Sequence, residues 1–160
     1  MAVDDLKTAA EIARRRLHHR LWQLRDAQAW AEGVIVRMER PHEWLIDVST
    51  AQTPADARDA LLHADGPSDE RAVWAALMGD WLRILDAHPE RDSEIAKELF
   101  YLAQHDDVPA REARGQMWSF WDAIDLAKDG SWGVLEEERR KLREFLAGWI
   151  NGESSALHRD

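Results

Sequence analysis

The chain contains no cysteine in 160 residues. That excludes disulfides, thiolate metal sites and a cysteine nucleophile, and it fits a reducing, cytoplasmic setting. No apolar run approaches the roughly 20 residues that a bilayer-spanning helix needs. The opening "MAVDDLKTAAEIARRRL" begins with acids and lacks the apolar stretch of a secretory leader. A soluble protein with no membrane partner is expected. Proline is sparse, and its five positions, 41, 54, 67, 89 and 109, all fall between segments with helical periodicity. Proline belongs there in a helical protein, because it lacks an N–H and clashes with the preceding turn.

Several chemical signatures are also missing. There is no Gly-x-Gly-x-x-Gly, no Walker loop and no Gly-x-Ser-x-Gly elbow, and Tyr101 is the only tyrosine. Seven histidines invite a search for a metal. Glu39-Arg40-Pro41-His42 matches the Glu-x-x-His of di-iron bundles by letter, but Pro41 breaks the helix that the geometry requires. His42-Glu43 is followed by Trp44, Leu45 and Ile46, so the metalloprotease pattern His-Glu-x-x-His is absent too. His18 and His19 point about 100° apart on a helix. No metal and no cofactor are expected.

Charge is present in quantity and unevenly spread. The chain holds 21 basic and 31 acidic residues, a formal net charge of −10. Residues 1–40 carry 8 basic and 6 acidic side chains, or +2, and residues 41–160 carry 13 and 25, or −12. An acidic body repels nucleic acid and anionic membranes and attracts basic partners. The cluster "RRRLHHR", Arg14 to Arg20, cannot place three consecutive arginines on one helix face. Pairing with acids of the body accounts for it better than nucleic-acid binding.

Apolar spacing predicts helices almost throughout. Leu6, Ala9, Ala13 and Leu17 recur at intervals of three and four, and Leu24, Ala27, Ala31, Val34 and Met38 continue the rhythm. A break is expected near His18-His19. The β-branched "GVIVRM" and "WLIDVST" make a hairpin over 33–50 a competitor, but the helical rhythm favours helix, with Trp44, Leu45 and Val48 forming a short third one. Thr53 reads as an N-cap with Pro54 at N1 and Asp56 at N3. Ser68 is expected to cap the next helix, whose stripe runs through Val73, Trp74, Leu77, Met78, Trp81, Ile84 and Leu85. Ile95, Leu99 and Leu102 carry another to about Asp106. A helix after Pro109 ends at Gly130, and the last begins near Ser131 to Gly133, with Leu135, Leu142, Phe145, Leu146 and Trp149 on its apolar face. The expectation is an all-α, single globular multi-helix bundle of seven or eight helices with short Pro/Gly-marked loops. It occupies residues 1–150, with 151–160 as a frayed polar tail.

Nine tryptophans require a reason. Trp74, Trp81, Trp149 and Trp44 sit on apolar faces and read as core. The stretch "GQMWSFWDAIDLAKDGSWG" is different. Met117, Phe120, Trp121 and Ile124 form its expected inward face. Trp118, Asp122, Asp125 and Asp129 line a neighbouring face at spacings of four, three and four. That row is either a solvated helix face or a recognition edge, with an aromatic anchor beside acids that receive lysine and arginine. Paired carboxylates acting as acid and base would need a pocket and a raised pKa.

In size, charge and helicity the chain resembles, in general kind, the small acidic, all-helical, cysteine-free bacterial immunity and inhibitor proteins. That resemblance implies a non-enzymatic protein-binding module whose acidic surface engages a basic protein partner. Trp118, Asp122, Asp125 and Asp129 are then the candidate partner-binding residues. The alternatives are a helical protein with a Trp-lined pocket for a small ligand, with or without catalysis, and a structural or self-assembling subunit.

Overall fold

In a computed structural model the chain is all-α. The structure describes residues 3–151, with side chains from Asp5 onward, so the expected tail at 152–160 lies outside the described residues. Among the described residues the α-helices are α1 (Val3–His18), α2 (Leu24–Ile35), α3 (Glu43–Thr50), α4 (Pro54–Leu61), α5 (Glu70–Ala87), α6 (Asp92–Gln104), α7 (Arg114–Asp129) and α8 (Leu135–Ile150). Single 3₁₀ turns at Pro89–Arg91 and Arg111–Ala113 lead into α6 and α7. No strand occurs among the described residues, so the hairpin alternative over 33–50 is not realised. No helix among them is long and apolar enough to cross a membrane.

The boundaries follow local chemistry. The break after α1 falls at His18, where Arg20 adopts a left-handed φ of 57°. The Thr53 hydroxyl accepts the Asp56 N–H at 3.1 Å, and Pro54 occupies the first turn, as a helix start with unpaired N–H groups requires. Three boundaries differ from the sequence reading. Helix α2 stops at Ile35, short of Met38. Asp69, not Ser68, caps α5: the Ala72 N–H donates to Asp69 Oδ1 at 3.1 Å, while Ser68 spends its hydroxyl on Glu70. The last helix begins at Leu135, because the chain first makes a tight turn through two left-handed glycines, Gly130 and Gly133, each at φ 79°.

The chain groups into two units, Met1–Val73 and Trp74–Asp160. In the first, Leu6, Ala10, Ala13 and Leu17 of α1 join Ala27, Ala31 and Val34 of α2, Trp44, Leu45 and Val48 of α3, and Ala57, Ala60 and Leu61 of α4 in one buried cluster. Alanine at so many contact positions lets the helix axes approach closely, and α3 packs on both α2 and α4. In the second unit α6 and α7 pack along their length and α8 lies against α7. Ile95, Leu99 and Leu102 of α6, Met117, Phe120 and Ile124 of α7, and Leu142, Phe145 and Leu146 of α8 are buried. Trp74 and Trp81 of α5 and Trp44 of α3 are buried as periodicity predicted, whereas Trp149 is only half-buried.

One carboxylate ties three helices of the second unit together. Asp92, the first residue of α6, is 0% exposed. Its Oδ2 accepts Arg139 Nε of α8 at 2.6 Å, and its Oδ1 accepts Lys128 Nζ of α7 and the Ser93 N–H. Burial alone would push this carboxyl up, but those hydrogen bonds from Lys128, Arg139 and Ser93 outweigh it and hold it below the ordinary carboxylate range. Helix α5 is joined to α8 by a two-pronged pair, Arg143 on Asp86 at 2.8 and 3.1 Å.

Candidate functional site: an acidic aromatic groove on α6 and α7

A departure from simple core-and-surface patterning lies where α6 meets the outer flank of α7. Phe100 of α6 is met by Trp118 at a ring-centre distance of 4.7 Å and by Trp121 at 5.2 Å. Tyr101 lies 6.2 Å from Trp121. These tilted and edge-on arrangements suit the ring quadrupoles, so the cluster is stabilised without being covered. Trp118 remains 44% exposed and Tyr101 42%.

A third indole completes the site from the α7–α8 turn. The Leu126 carbonyl accepts the N–H groups of both Ser131 and Trp132, at 3.1 and 3.3 Å, and Gly130 N–H bonds Ala127 O at 3.3 Å. This wrapping closes α7 through a left-handed glycine and brings the 75% exposed Trp132 back beside α7. Nothing lies within 4 Å of a Cβ built on Gly130, so Gly130→Ala costs only the left-handed penalty, about 1–2 kcal/mol. Denaturant unfolding should show that loss; unchanged stability would mean that the turn does not need a positive φ.

Together Phe100, Trp118, Trp121, Leu126 and Trp132 wall a half-open groove of about 670 Å³, with Asp122 and Asp125 as its charged lining. Of the four residues singled out in the sequence, the structure brings Trp118, Asp122 and Asp125 to this groove. Asp129 does not line it. Asp129 Oδ1 accepts the Ser131 N–H at 2.8 Å, a turn-shaping bond, and the Ser131 side chain together with that N–H holds its carboxyl below the usual range. Asp125 is shared: its Oδ1 accepts the Ser93 hydroxyl at 3.0 Å, and that Ser93 oxygen in turn accepts Lys128 Nζ at 2.8 Å. Asp122 is exposed and has no hydrogen bond or ion pair among the described residues.

Trp121 corrects the sequence reading. It was expected with Met117, Phe120 and Ile124 on the inward face, but it is half-buried and lines the groove. Phe100, Tyr101 and Lys97 were not singled out at all. Lys97 Nζ stands 5.5 Å from the Trp121 ring centre and 5.9 Å from that of Tyr101. The available signal was their position: Phe100 and Tyr101 fall beside the Ile95–Leu99–Leu102 stripe, so aromatic rings stand where the helix should present polar side chains.

The groove offers apolar faces, two carboxylates and Ser119, whose hydroxyl donates to the Gln116 carbonyl. No group of three or more metal-binding side chains occurs among the described residues. Set against known protein families, characterised proteins and solved structures, the chain matches none.

Proposed function

We propose that this chain is a non-enzymatic protein-binding module that engages a basic protein partner, with the α6–α7 groove as its contact. The observation that carries the reading is the coincidence, in one concavity, of exposed indoles with a carboxylate, Asp122, that has no partner among the described residues. Large rigid aromatics supply contact area at small entropic cost, and acids of the same patch steer a basic partner onto it. The net charge of −10 extends that attraction beyond the groove. An immunity or inhibitor protein that covers a basic enzyme is the kind of protein this describes.

The test uses the whole chain as bait and follows association kinetics with the captured partner. Rising salt is expected to slow association, because exposed charges are screened over about 10 Å at 0.1 M. Asp122→Lys should lower the on-rate by about tenfold, while the same change at Glu112, which does not line the groove, should leave it near the parent value. Association indifferent to salt and to Asp122→Lys rejects the reading.

A small-ligand site is the second reading. It is favoured by the groove volume of about 670 Å³, which falls within the range of about 300–1,000 Å³ for small-molecule pockets. Its signature is a Tm that climbs with ligand concentration. A groove-filling compound that does so, in the absence of any protein partner, would favour it over the first.

A further inference from the structure

We infer that the groove receives an arginine side chain of the partner, its guanidinium lying on the Trp118 and Trp132 faces and paired with Asp122. This rests on the protein-binding reading and adds the chemical identity of the occupant. Three observations converge on it.

The first is a cation already held by neighbouring rings of the same cluster. Lys97 stands over Trp121 and Tyr101 at 5.5 and 5.9 Å, within the reach of the attraction between a positive charge and a ring's negative face. The cluster therefore holds a cation at these two rings. Trp118 and Trp132 carry no such cation among the described residues, and both are open to solvent.

The second is charge. Asp122 lines the groove without a partner among the described residues. Asp125, the other acid of the lining, already accepts Ser93. The bond from a neutral hydroxyl leaves the Asp125 charge in place, so a cation is the natural complement of the lining, and Asp122 is the acid free to pair with it.

The third is shape. The groove is half-open and about 670 Å³, which suits a side chain presented by a second molecule better than an enclosed free ion. A guanidinium is planar, more weakly hydrated than an ammonium, stacks on indoles and pairs with a carboxylate through two parallel N–H bonds. Lysine offers a point charge without the flat face.

The test follows indole N–H signals by NMR, with Trp118→Phe and Trp132→Phe assigning the two resonances. Three capped hexapeptides of one sequence serve as probes, carrying two arginines, two lysines or two citrullines. The arginine peptide should shift the Trp118 and Trp132 signals and bind at least about fivefold tighter than the lysine peptide. The citrulline peptide, equal in shape but uncharged, should produce no saturable shift. Asp122→Asn, an exposed and nearly isosteric change, should weaken the arginine peptide by about tenfold.

Equal affinity for arginine and lysine overturns the inference while leaving an acidic docking groove in place. Citrulline binding as tightly as arginine overturns it by removing charge. Arginine shifts confined to other indoles overturn it by moving the site. The protein-binding reading fails separately, through partner kinetics that ignore salt and Asp122→Lys.

Discussion

Asp92→Ala is expected to destabilise the Trp74–Asp160 unit by about 3–5 kcal/mol, the usual cost of removing one partner from a buried ion pair. The carboxylate is fully shielded and accepts bonds from Lys128 and Arg139 on two other helices. Its loss brings the Lys128 and Arg139 cations face to face across α7 and α8, with only the outer Glu136 carboxylate, 3.3 Å from Arg139, left to offset them. Against a typical stability of about 5–15 kcal/mol, that is a large fraction. Asp92→Asn keeps the shape and removes the charge, so it isolates the electrostatic part.

The same group makes stability depend on pH in a defined direction. The folded carboxyl is held below its ordinary value, so the folded state binds the proton less readily than the unfolded chain does. Its contribution is therefore complete above the unfolded value, about 3.9, and is lost as pH falls through the lower folded value. Melting curves at pH 7 and at successive steps below pH 4 should show the parent losing this component and Asp92→Asn lacking it. Parallel losses in the two proteins would mean that Asp92 does not titrate as its contacts require.

Phe120→Ala and Trp118→Ala, two positions apart on α7, are expected to behave in opposite ways. Phe120 is buried and meets Phe145 of α8 at 5.3 Å. Truncating it opens a cavity between α7 and α8 and should cost about 3–5 kcal/mol. Trp118, though larger, is 44% exposed and meets the Phe100 ring at 4.7 Å. Its truncation should cost clearly less than that of Phe120, because it forfeits an aromatic pair of about 0.5–1.5 kcal/mol and the burial of only part of the indole, while removing a wall of the groove and weakening partner association. Denaturant midpoints and association constants measured on both variants check this. A Trp118→Ala protein as unstable as Phe120→Ala would place that indole in the core and remove it from the site.

Much of this contrast was visible in the residues. Spacing alone put Met117, Phe120 and Ile124 inside and Trp118 on the flank, because 3.6 residues per turn fixes which side chains share a face. Thr53, Pro54 and Gly130 marked helix ends correctly, since their hydrogen-bonding and backbone preferences act within a few residues. Trp121 went wrong for the complementary reason. A helix face has a direction, but whether that direction meets a neighbour's apolar side or its edge depends on the neighbour. Here α6 presents Phe100 and Lys97 at that angle, and the indole lines a groove instead of a core.

Local order, then, was written in the chain: helices, their breaks, their buried stripes and an acidic excess all follow from interactions spanning four residues or fewer, or from simple sums over composition. Long-range pairing decided the rest. Asp92 finds Lys128 and Arg139 at separations of 36 and 47 residues, and Phe100, Trp118 and Trp132 wall one concavity only after α6, α7 and the turn beyond them have packed. Which acids remained unpaired was settled there too. Asp125 and Asp129 accept hydrogen bonds from Ser93 and Ser131, while Asp122 meets no partner among the described residues, because helix periodicity specifies where a carboxylate points and only packing supplies what it meets.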